Sequence, residues 1–386
     1  MNYRELRRMY ELEGPSQTLN RLGECFQQRH LRPEDFSVRT LAEALIPDGR
    51  EWVLNLDPRR KASVALLESE AVDVSAFRNI TGQLLHSKIM EGYQQEVFAA
   101  SRLVETIPTR LDGEKIPGVE SLADIAETVD PGMPFPHVGF SEDYVETPQT
   151  DKRGLICSVT QEAIYFDRTG LIYRQAFQVG EVLGLNKEKR ILDCLLGVTN
   201  PYNWKGTQYD TYQDTSPWVN TLDENALADW TNVDASEQLF AEMIDPASGE
   251  PVLAMPNTLL VMPAKSNVAR NIVHAVEVRM GDGSSGSTQT LATSPLTSYQ
   301  IVSSRLAYHR LVESGVNADL AKGYWYHGDF RRAFAYMENW PITITQAPPQ
   351  HHDAFERDIV LQVKASERGA IAVLDPRYVV RNTPGS

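Results

Sequence analysis

Apolar residues recur at helical spacing in two long stretches of the chain. Over residues 80–107 they follow a 3.6-residue period, which predicts one long helix. A second run begins after Asp167-Arg168-Thr169, residues that can cap a helix, and continues to about Leu196, where Gly197 predicts the end. Its apolar face comprises Ile172, Ala176, Val179, Leu183, Ile191, Leu192 and Leu195. About 28 residues at 1.5 Å each predict a rod of roughly 42 Å.

Proline and glycine replace this periodicity over residues 108–150, which predicts extended, exposed chain. Two short apolar runs follow, at residues 154–159 and 163–166. The first is typical of a β-strand. We interpret it as one arm of a projecting β-hairpin whose other arm is residues 136–146.

The segment 1–62 is predicted to form short, charged helices interrupted by Gly14-Pro15 and Pro33. Helices this short bury too little apolar surface to fold alone, so we expect the segment to pack on something else. It carries 11 basic and 10 acidic residues, a net charge of +1, whereas the rest of the chain carries a net charge of −16.

The region 198–235 reads as a polar loop rich in Tyr and Trp, and a mixture of helices and strands follows it. We predict helices at 235–245 and 264–275, a strand at 258–263 and a flexible Gly/Ser loop at 281–287. Near the end, two strands at 358–364 and 370–374 are separated by Glu367-Arg368-Gly369. The fold class expected from this order is α+β.

Composition excludes several classes of protein. The 386 residues contain 37 basic and 52 acidic side chains, a net charge of −15, which argues against a protein that grips nucleic acid through a basic surface. Cys25, Cys157 and Cys194 are an odd number without CxxC spacing, which favours free thiols in a reducing compartment. The charged start and the lack of a run of about 20 apolar residues predict a protein made in the cytosol and not inserted in a membrane.

The chain matches known catalytic motifs only weakly or not at all. The chain has no GxSxG elbow and no P-loop, and the glycines at 281–286 match a dinucleotide-binding motif only by letter. Candidate metal ligands are His351, His352, Asp353 and Glu356, and separately His327 with Asp329, but their spacing is not that of a zinc site. Asp210 and Asp214 in the aromatic loop 202–218 leave a carbohydrate-active hydrolase open as an alternative. We assign no catalytic, cofactor-binding or metal-binding residue.

Several local sequences, in their order along the chain, resemble one known family. Residues 152–160, KRGLICSVT, followed by Ile164-Tyr165-Phe166-Asp167, look like the return of a hairpin into a long helix in Mu-like phage head proteins. Residues 247–263 contain ASGEP and PNTLLVMP, and the closing segments FERDIV and GAIAVLDPR are similar to the family's last strands. Over residues 78–381 the chain therefore resembles the major capsid proteins of tailed bacteriophages, which have the Hong Kong 97-type fold.

The resemblance implies six regions: an N-terminal arm (1–75), a peripheral-domain helix region (76–109), an extended hairpin loop (110–166), a spine helix (167–197), an axial domain (198–345) and returning peripheral strands (346–386). It implies that the hairpin loop lies across an adjacent subunit, and that the arm reaches over a neighbour. The expected partners are copies of the chain itself, in pentamers and hexamers of an icosahedral shell. Scaffolding, portal and decoration proteins are also expected, as is enclosed double-stranded DNA without sequence-specific binding.

Two alternatives stay open beside a phage head made in the host cytoplasm. An encapsulin-type nanocompartment shares the fold, and the hydrolase described above belongs to another class. Some members of the family crosslink a hairpin lysine to a neighbour's asparagine. Lys115 and Lys152 lie in the corresponding region, but the sequence does not distinguish them from solvated lysines.

Overall fold

The computed structural model describes residues 3–28, 30–46, 48–56, 75–118, 143–246, 248–274, 278–281, 288–291, 298–348 and 356–385. Within these residues the helices are α1 (Tyr3–Glu13), α2 (Pro15–Gln27), α3 (Val38–Leu45), α4 (Gly49–Asn55), α5 (Ser75–Tyr93), α6 (Gln161–Tyr165), α7 (Thr169–Leu195), α8 (Trp230–Ala241), α9 (Ser266–Val273), α10 (Arg305–Glu313), α11 (Ala318–Ala321) and α12 (Phe330–Ala333).

The strands in the same residues are β1 (Glu105–Pro108), β2 (Lys115–Pro117), β3 (Tyr144–Glu146), β4 (Asp151–Thr160), β5 (Tyr202–Trp204), β6 (Thr207–Tyr209), β7 (Thr221–Leu222), β8 (Thr258–Val261), β9 (Val278–Gly281), β10 (Thr288–Leu291), β11 (Gln300–Ser303), β12 (Trp325–Gly328), β13 (Phe334–Gln346), β14 (Ile359–Val373) and β15 (Val379–Asn382). Helices and sheets both contribute, so the predicted α+β class is confirmed.

The chain divides into two compact units. Unit 1 comprises Met1–Phe98, Lys152–Asn186 and Trp340–Arg368, and unit 2 comprises Ala99–Asp151, Lys187–Asn339 and Gly369–Ser386. Each unit has buried apolar clusters of its own. The two are described separately below.

In unit 1 the core forms where α5 and α7 meet the N-terminal helices and the strands β4 and β14. Leu84 and Ile89 of α5, Ala176 of α7 and Leu361 of β14 belong to one buried cluster. The predicted apolar face of α7 is buried, except for Val179, which is partly exposed. The periodicity therefore identified this helix and its inner face correctly.

The N-terminal segment packs on its own chain. Leu6 and Leu22 are completely buried in the cluster of unit 1. The segment is also tied to the beginning of α7, because Ser37 Oγ donates to Asp167 Oδ1 at 2.8 Å and the Tyr173 hydroxyl donates to the Phe36 carbonyl at 2.9 Å. The described residues of this segment therefore bury much of their apolar surface against the same chain, although Leu12 and Leu54 remain exposed.

Glycines allow α5 and α7 to approach closely. A Cβ atom on Gly180 would lie 1.9 Å from the carbonyl oxygen of Ile89, and one on Gly92 would lie 2.2 Å from that of Phe177. Both distances are far below the contact distance of a carbon and an oxygen atom. The crossing of the two helices therefore requires glycine at both positions.

In unit 2 five strands form a sheet in the order β11-β8-β12-β15-β7. Strand β8 is parallel to β11 and antiparallel to β12, which pairs in turn with β15. Side chains of β8 alternate between two apolar clusters, with Leu259 and Val261 in one and Leu260 in the other. Helices α8 and α9 cover the first face, whereas α10 and the last residues of α7 cover the second. This burial on both faces explains the uninterrupted apolar run that predicted the strand.

Four predictions of local structure were wrong in the described residues. The first helix ends at Tyr93 instead of residue 107, because a separate turn begins at Ala100, where the Glu188 carboxylate accepts hydrogen bonds from the amides of Ala100 and Ser101 at 2.6 and 2.9 Å. Strand β3 pairs with β2 and β5, and β4 pairs with β14, so these residues do not form the predicted hairpin. Residues 136–142 of the expected first arm lie outside the described residues.

The other two errors concern segments with polar or aromatic residues. The tail forms one continuous strand, β14, in place of two. Gly369 serves close packing within it, since a Cβ there would lie 2.7 Å from the Tyr336 ring. The loop 198–235 contains β5, β6 and β7, and α8 begins at Trp230 because Asp229 caps it through the Thr231 amide. The Gly/Ser loop predicted at 281–287 lies outside the described residues apart from Gly281.

Candidate assembly surface

Among the described residues, the histidine and carboxylate candidates form no metal site. His327 is completely buried in unit 2, where its Nδ1 atom lies 3.2 Å from Ser236 Oγ. Burial lowers the pKa of His327 to about 3, so the ring is neutral. Asp329 caps α12 through the Arg331 amide. Across the described residues no group of three or more His, Cys, Asp or Glu side chains is arranged to hold a metal ion. His351, His352 and Asp353 lie outside those residues, and Glu356 is exposed.

The aromatic loop is a packed cluster and does not present rings to a ligand. Trp218, which is 5% exposed, has its ring centre 5.5 Å from that of Tyr202, 5.5 Å from that of Tyr209 and 6.0 Å from that of Trp204. Asp210 and Asp214 are both exposed to solvent. Trp218 and Tyr202 are buried in the cluster and cannot stack on a sugar, so this geometry gives no support to the hydrolase alternative.

The cysteines and lysines singled out in the sequence have structural surroundings. All three cysteines are free thiols, as predicted, and burial raises the pKa of Cys157 to about 11. Lys115 Nζ lies 3.2 Å from Glu146 Oε1 and 3.9 Å from the centre of the Tyr144 ring. Lys152 is exposed and its Nζ atom lies 5.9 Å from the centre of the Trp340 ring. The structure thus distinguishes the two lysines, since only Lys115 has a carboxylate partner within salt-bridge distance among the described residues.

Unit 1 carries an exposed apolar groove between a strand and a helix. Leu155 and Ile156 of β4 are 38% and 58% exposed, and Val182 of α7 is 51% exposed. Together with Gln175 and Gln178 they line a groove of about 390 Å³. In the described residues β4 lies at the end of its sheet, so its outer edge has no strand partner there. Apolar side chains beside such an edge are typical of a surface that another chain covers.

Unit 2 carries a second exposed apolar surface, the apolar ridge, formed by Ile244, Leu253 and Met255. Their side chains are 55%, 79% and 81% exposed. Leu253 and Met255 are exposed, whereas Val252 and Ala254, which alternate with them, are half-buried. Sequence analysis missed the ridge, because three apolar residues in a loop give no periodic signal.

The apolar ridge is held in place by a buried ion cluster. The Arg377 guanidinium donates to Asp245 Oδ1 at 2.7 Å and to Asp375 Oδ1 at 2.9 Å, and all three side chains are buried. Burial alone would lower the pKa of Arg377, but the hydrogen bonds and charges of the two carboxylates outweigh it and raise the pKa. Ser248 Oγ donates to Asp245 Oδ2 at 2.6 Å, which closes the turn before the ridge.

Each unit thus exposes apolar side chains beside firmly packed elements, which is typical of a surface that another chain covers. In the part of the chain that the structure describes, no helix has the length and apolar composition needed to cross a membrane.

The structure is similar to the capsid of the native GTA particle, at 10% identity and a TM-score of 0.47, covering 76% of this chain and 91% of that one. It is also similar to Mycobacterium phage Bobi, at 12% identity and a TM-score of 0.43 (75% and 90% covered), and to a virus-like particle from Pyrococcus furiosus, at 10% and 0.44 (77% and 97% covered). Among curated proteins, none matches the chain in sequence. The family model described as phage capsid protein matches residues 144–382, more than half of the chain. The chain belongs to the phage capsid protein family.

Proposed function

We propose that the chain is the major subunit of an icosahedral phage head that encloses double-stranded DNA. The family match over residues 144–382 carries the proposal, because it covers more than half of the chain, including most of unit 2 and the segments Lys152–Asn186 and Trp340–Arg368 of unit 1. Copies of the chain are the principal partner. The exposed groove of unit 1 and the apolar ridge of unit 2 support this, since each would be covered in a shell.

The proposal keeps the bounds of the six regions, with α7 as the spine helix. Residues 110–166 are kept as the segment that lies across an adjacent subunit, although their described strands do not pair as a hairpin. It assigns the subunit to a tailed phage of the Mu-like branch, with assembly in the host cytoplasm and scaffolding, portal and decoration proteins as further partners. The net charge of −15 supports enclosure of DNA without tight binding, because an acidic wall repels the phosphate backbone.

The decisive experiment is electron microscopy of the purified chain together with its sedimentation profile. Closed shells or rings of five and six copies are expected, with a scaffold added if the chain alone stays monomeric. Nuclease-protected nucleic acid inside shells isolated from infected or induced cells would favour the phage head. A protein cargo in place of nucleic acid would favour the encapsulin-type nanocompartment. A chain that remains monomeric with and without scaffold would contradict the proposal.

A further inference from the structure

The five-stranded sheet of unit 2 has flanks of opposite charge. The segment 206–261 contains ten acidic and no basic residues, namely Asp210, Asp214, Asp223, Glu224, Asp229, Asp234, Glu237, Glu242, Asp245 and Glu250. Segments 262–274 and 298–311 contain no acidic residue and four basic ones, namely Lys265, Arg270, Arg305 and Arg310. The chain therefore separates its charges by segment, and the strand order decides where each segment lies.

Part of the acidic segment lies at the β7 end of the sheet. Glu237 of the same segment lies near β11 and belongs to neither flank, because the Tyr299 hydroxyl donates to its carboxylate. Strand β7 is the last strand in the order, and Asp223 and Glu224 follow it directly, both exposed. Glu242 is exposed at the end of α8, a helix that shares a buried cluster with Leu222 of β7. We call these three carboxylates the acidic flank.

The apolar ridge belongs to the same end of the sheet. Val252 and Ala254, which alternate with the exposed Leu253 and Met255, pack in the cluster that contains Leu222 of β7 and Val380 of β15. An exposed apolar strip is thus bordered by carboxylates. This combination of an apolar centre and charged surroundings is typical of a protein–protein contact.

The basic residues lie at the opposite end. Strand β11 begins the strand order, and Arg305 follows it as the first residue of α10. Arg270 is exposed on α9, whose buried residues share a cluster with Ile301 of β11. We call Arg270, Arg305 and the half-buried Lys265 the basic flank. Arg310 is not part of it, because both Nε and Nη2 bind Asp193, at 2.6 and 2.8 Å.

From these positions we infer that adjacent copies in a ring meet head to tail, with the acidic flank and apolar ridge of one copy against the basic flank of the next. A contact between two different surfaces repeats around a ring, whereas a contact between two identical surfaces stops at a dimer. Opposite charges at the two ends of one sheet fit the first kind and also accelerate encounter and fix register. This inference rests on the proposed function, because it names the contact by which the shell subunit forms its rings.

The test reverses each flank separately and then both together. Glu224→Lys with Glu242→Lys makes the acidic flank basic, and Arg270→Glu with Arg305→Glu makes the basic flank acidic. Either double variant is expected to form rings and shells at least about tenfold more slowly than wild type in low salt, since attraction is replaced by repulsion. The chain with all four changes is expected to recover assembly, because both flanks again meet an opposite charge.

Mixing the two double variants gives a sharper result. A copy of one variant fits only between copies of the other, so the two must alternate, and only a ring with an even number of copies can close. The mixture is expected to form six-membered rings, sheets or tubes, but no five-membered ring and therefore no closed icosahedral shell. Light scattering gives the assembly rate, and electron microscopy gives the ring size.

A control variant, Glu51→Lys with Glu96→Lys, makes the same change in net charge as the acidic-flank variant, but at exposed positions of unit 1. It is expected to assemble as wild type does, and circular dichroism checks that every variant is folded. Double variants that assemble at the wild-type rate would overturn the inference while leaving the shell function intact. Failure of the four-change chain to recover, when it is folded, would overturn it equally. Wild type that forms neither rings nor shells would overturn the proposed function itself.

Discussion

Substituting Gly180 by alanine tests whether the close crossing of α5 and α7 is an essential feature of unit 1. The added Cβ would lie 1.9 Å from the Ile89 carbonyl oxygen and 2.9 Å from the Tyr93 amide nitrogen. Both neighbours are backbone atoms, so neither can rotate away as a side chain could. The helices must separate locally, and the contacts along their buried faces become looser.

The magnitude follows from two opposing effects. Alanine in place of glycine inside a helix stabilises by about 1 kcal/mol. Overpacking a core costs typically about 1–3 kcal/mol, and a clash with backbone on a neighbouring helix belongs at the upper end of that range. The expected net loss is about 2 kcal/mol of unfolding free energy, which corresponds to a decrease of roughly 4–8 °C in Tm for a unit of this size.

Gly170→Ala is the matched control, because it makes the same change on the same helix. No atom lies within 4 Å of the position of its Cβ, and the residue is exposed. Its stability is expected to equal or slightly exceed that of wild type. Thermal and urea unfolding, followed by circular dichroism at concentrations too low for assembly, compares the three chains. A Gly180→Ala chain as stable as the control would refute the argument from close helix packing.

Three further substitutions test buried polar groups. Arg377→Met leaves two buried carboxylates without their cation and should cost about 3–5 kcal/mol in urea unfolding, whereas exposed Arg331→Met should cost less than about 0.5 kcal/mol. Glu188→Gln weakens three hydrogen bonds to Ala100 and Ser101 and should lower the unfolding free energy by about 1–3 kcal/mol, with exposed Glu96→Gln unchanged. The pKa of His327 is lowered to about 3 in the folded chain, so the unfolded chain binds an extra proton between that pH and about 6.5. Stability should therefore fall with decreasing pH by up to about 1.4 kcal/mol per pH unit from this group, and an equal slope in His327→Gln would contradict that assignment.

The sequence predicted best what depends on residues close together in the chain. The long helix α7 was predicted with an error of one or two residues at its ends, because its period and its stop are both local. Gly197 has φ +72° and ends the helix as expected, with the Val198 amide donating to the Asp193 carbonyl at 2.8 Å. The inner face followed from the same period.

The partner of each strand could not be predicted from local sequence patterns. An alternating apolar pattern indicates that β4 is a strand, but it does not say which strand lies beside it. We paired it with the segment just before it, whereas its partner is β14, about two hundred residues away. The predicted separation of two strands at Glu367-Arg368-Gly369 was wrong for a related reason. Glu367 is buried in the strand because Tyr93, far away in sequence, donates to its carboxylate at 2.5 Å.

The function of the aromatic loop could not be predicted from its composition either. Trp and Tyr beside carboxylates are compatible with a sugar-binding cleft and with an internal cluster, and composition cannot separate the two. Because Trp218 and Tyr202 are buried, these residues form an internal cluster. The exposed apolar ridge was missed for the opposite reason, because Leu253 and Met255 look like ordinary loop residues until their exposure is known.

The charges at the candidate ring contact can be predicted only in part from the sequence, because their positions depend on the fold. The run of acidic residues from Asp210 to Glu250 can be counted in the sequence, but a sequence does not show which edge of a sheet such a run occupies. In the chain the acidic and basic segments adjoin, between residues 261 and 262, yet the order β11-β8-β12-β15-β7 places β7 and β11 at opposite ends of the sheet. Because β8, β12 and β15 lie between β7 and β11, the carboxylates that follow β7 are separated across the sheet from the basic residues beside β11. Such a separation is what a subunit needs in order to present complementary surfaces to its two neighbours in a ring.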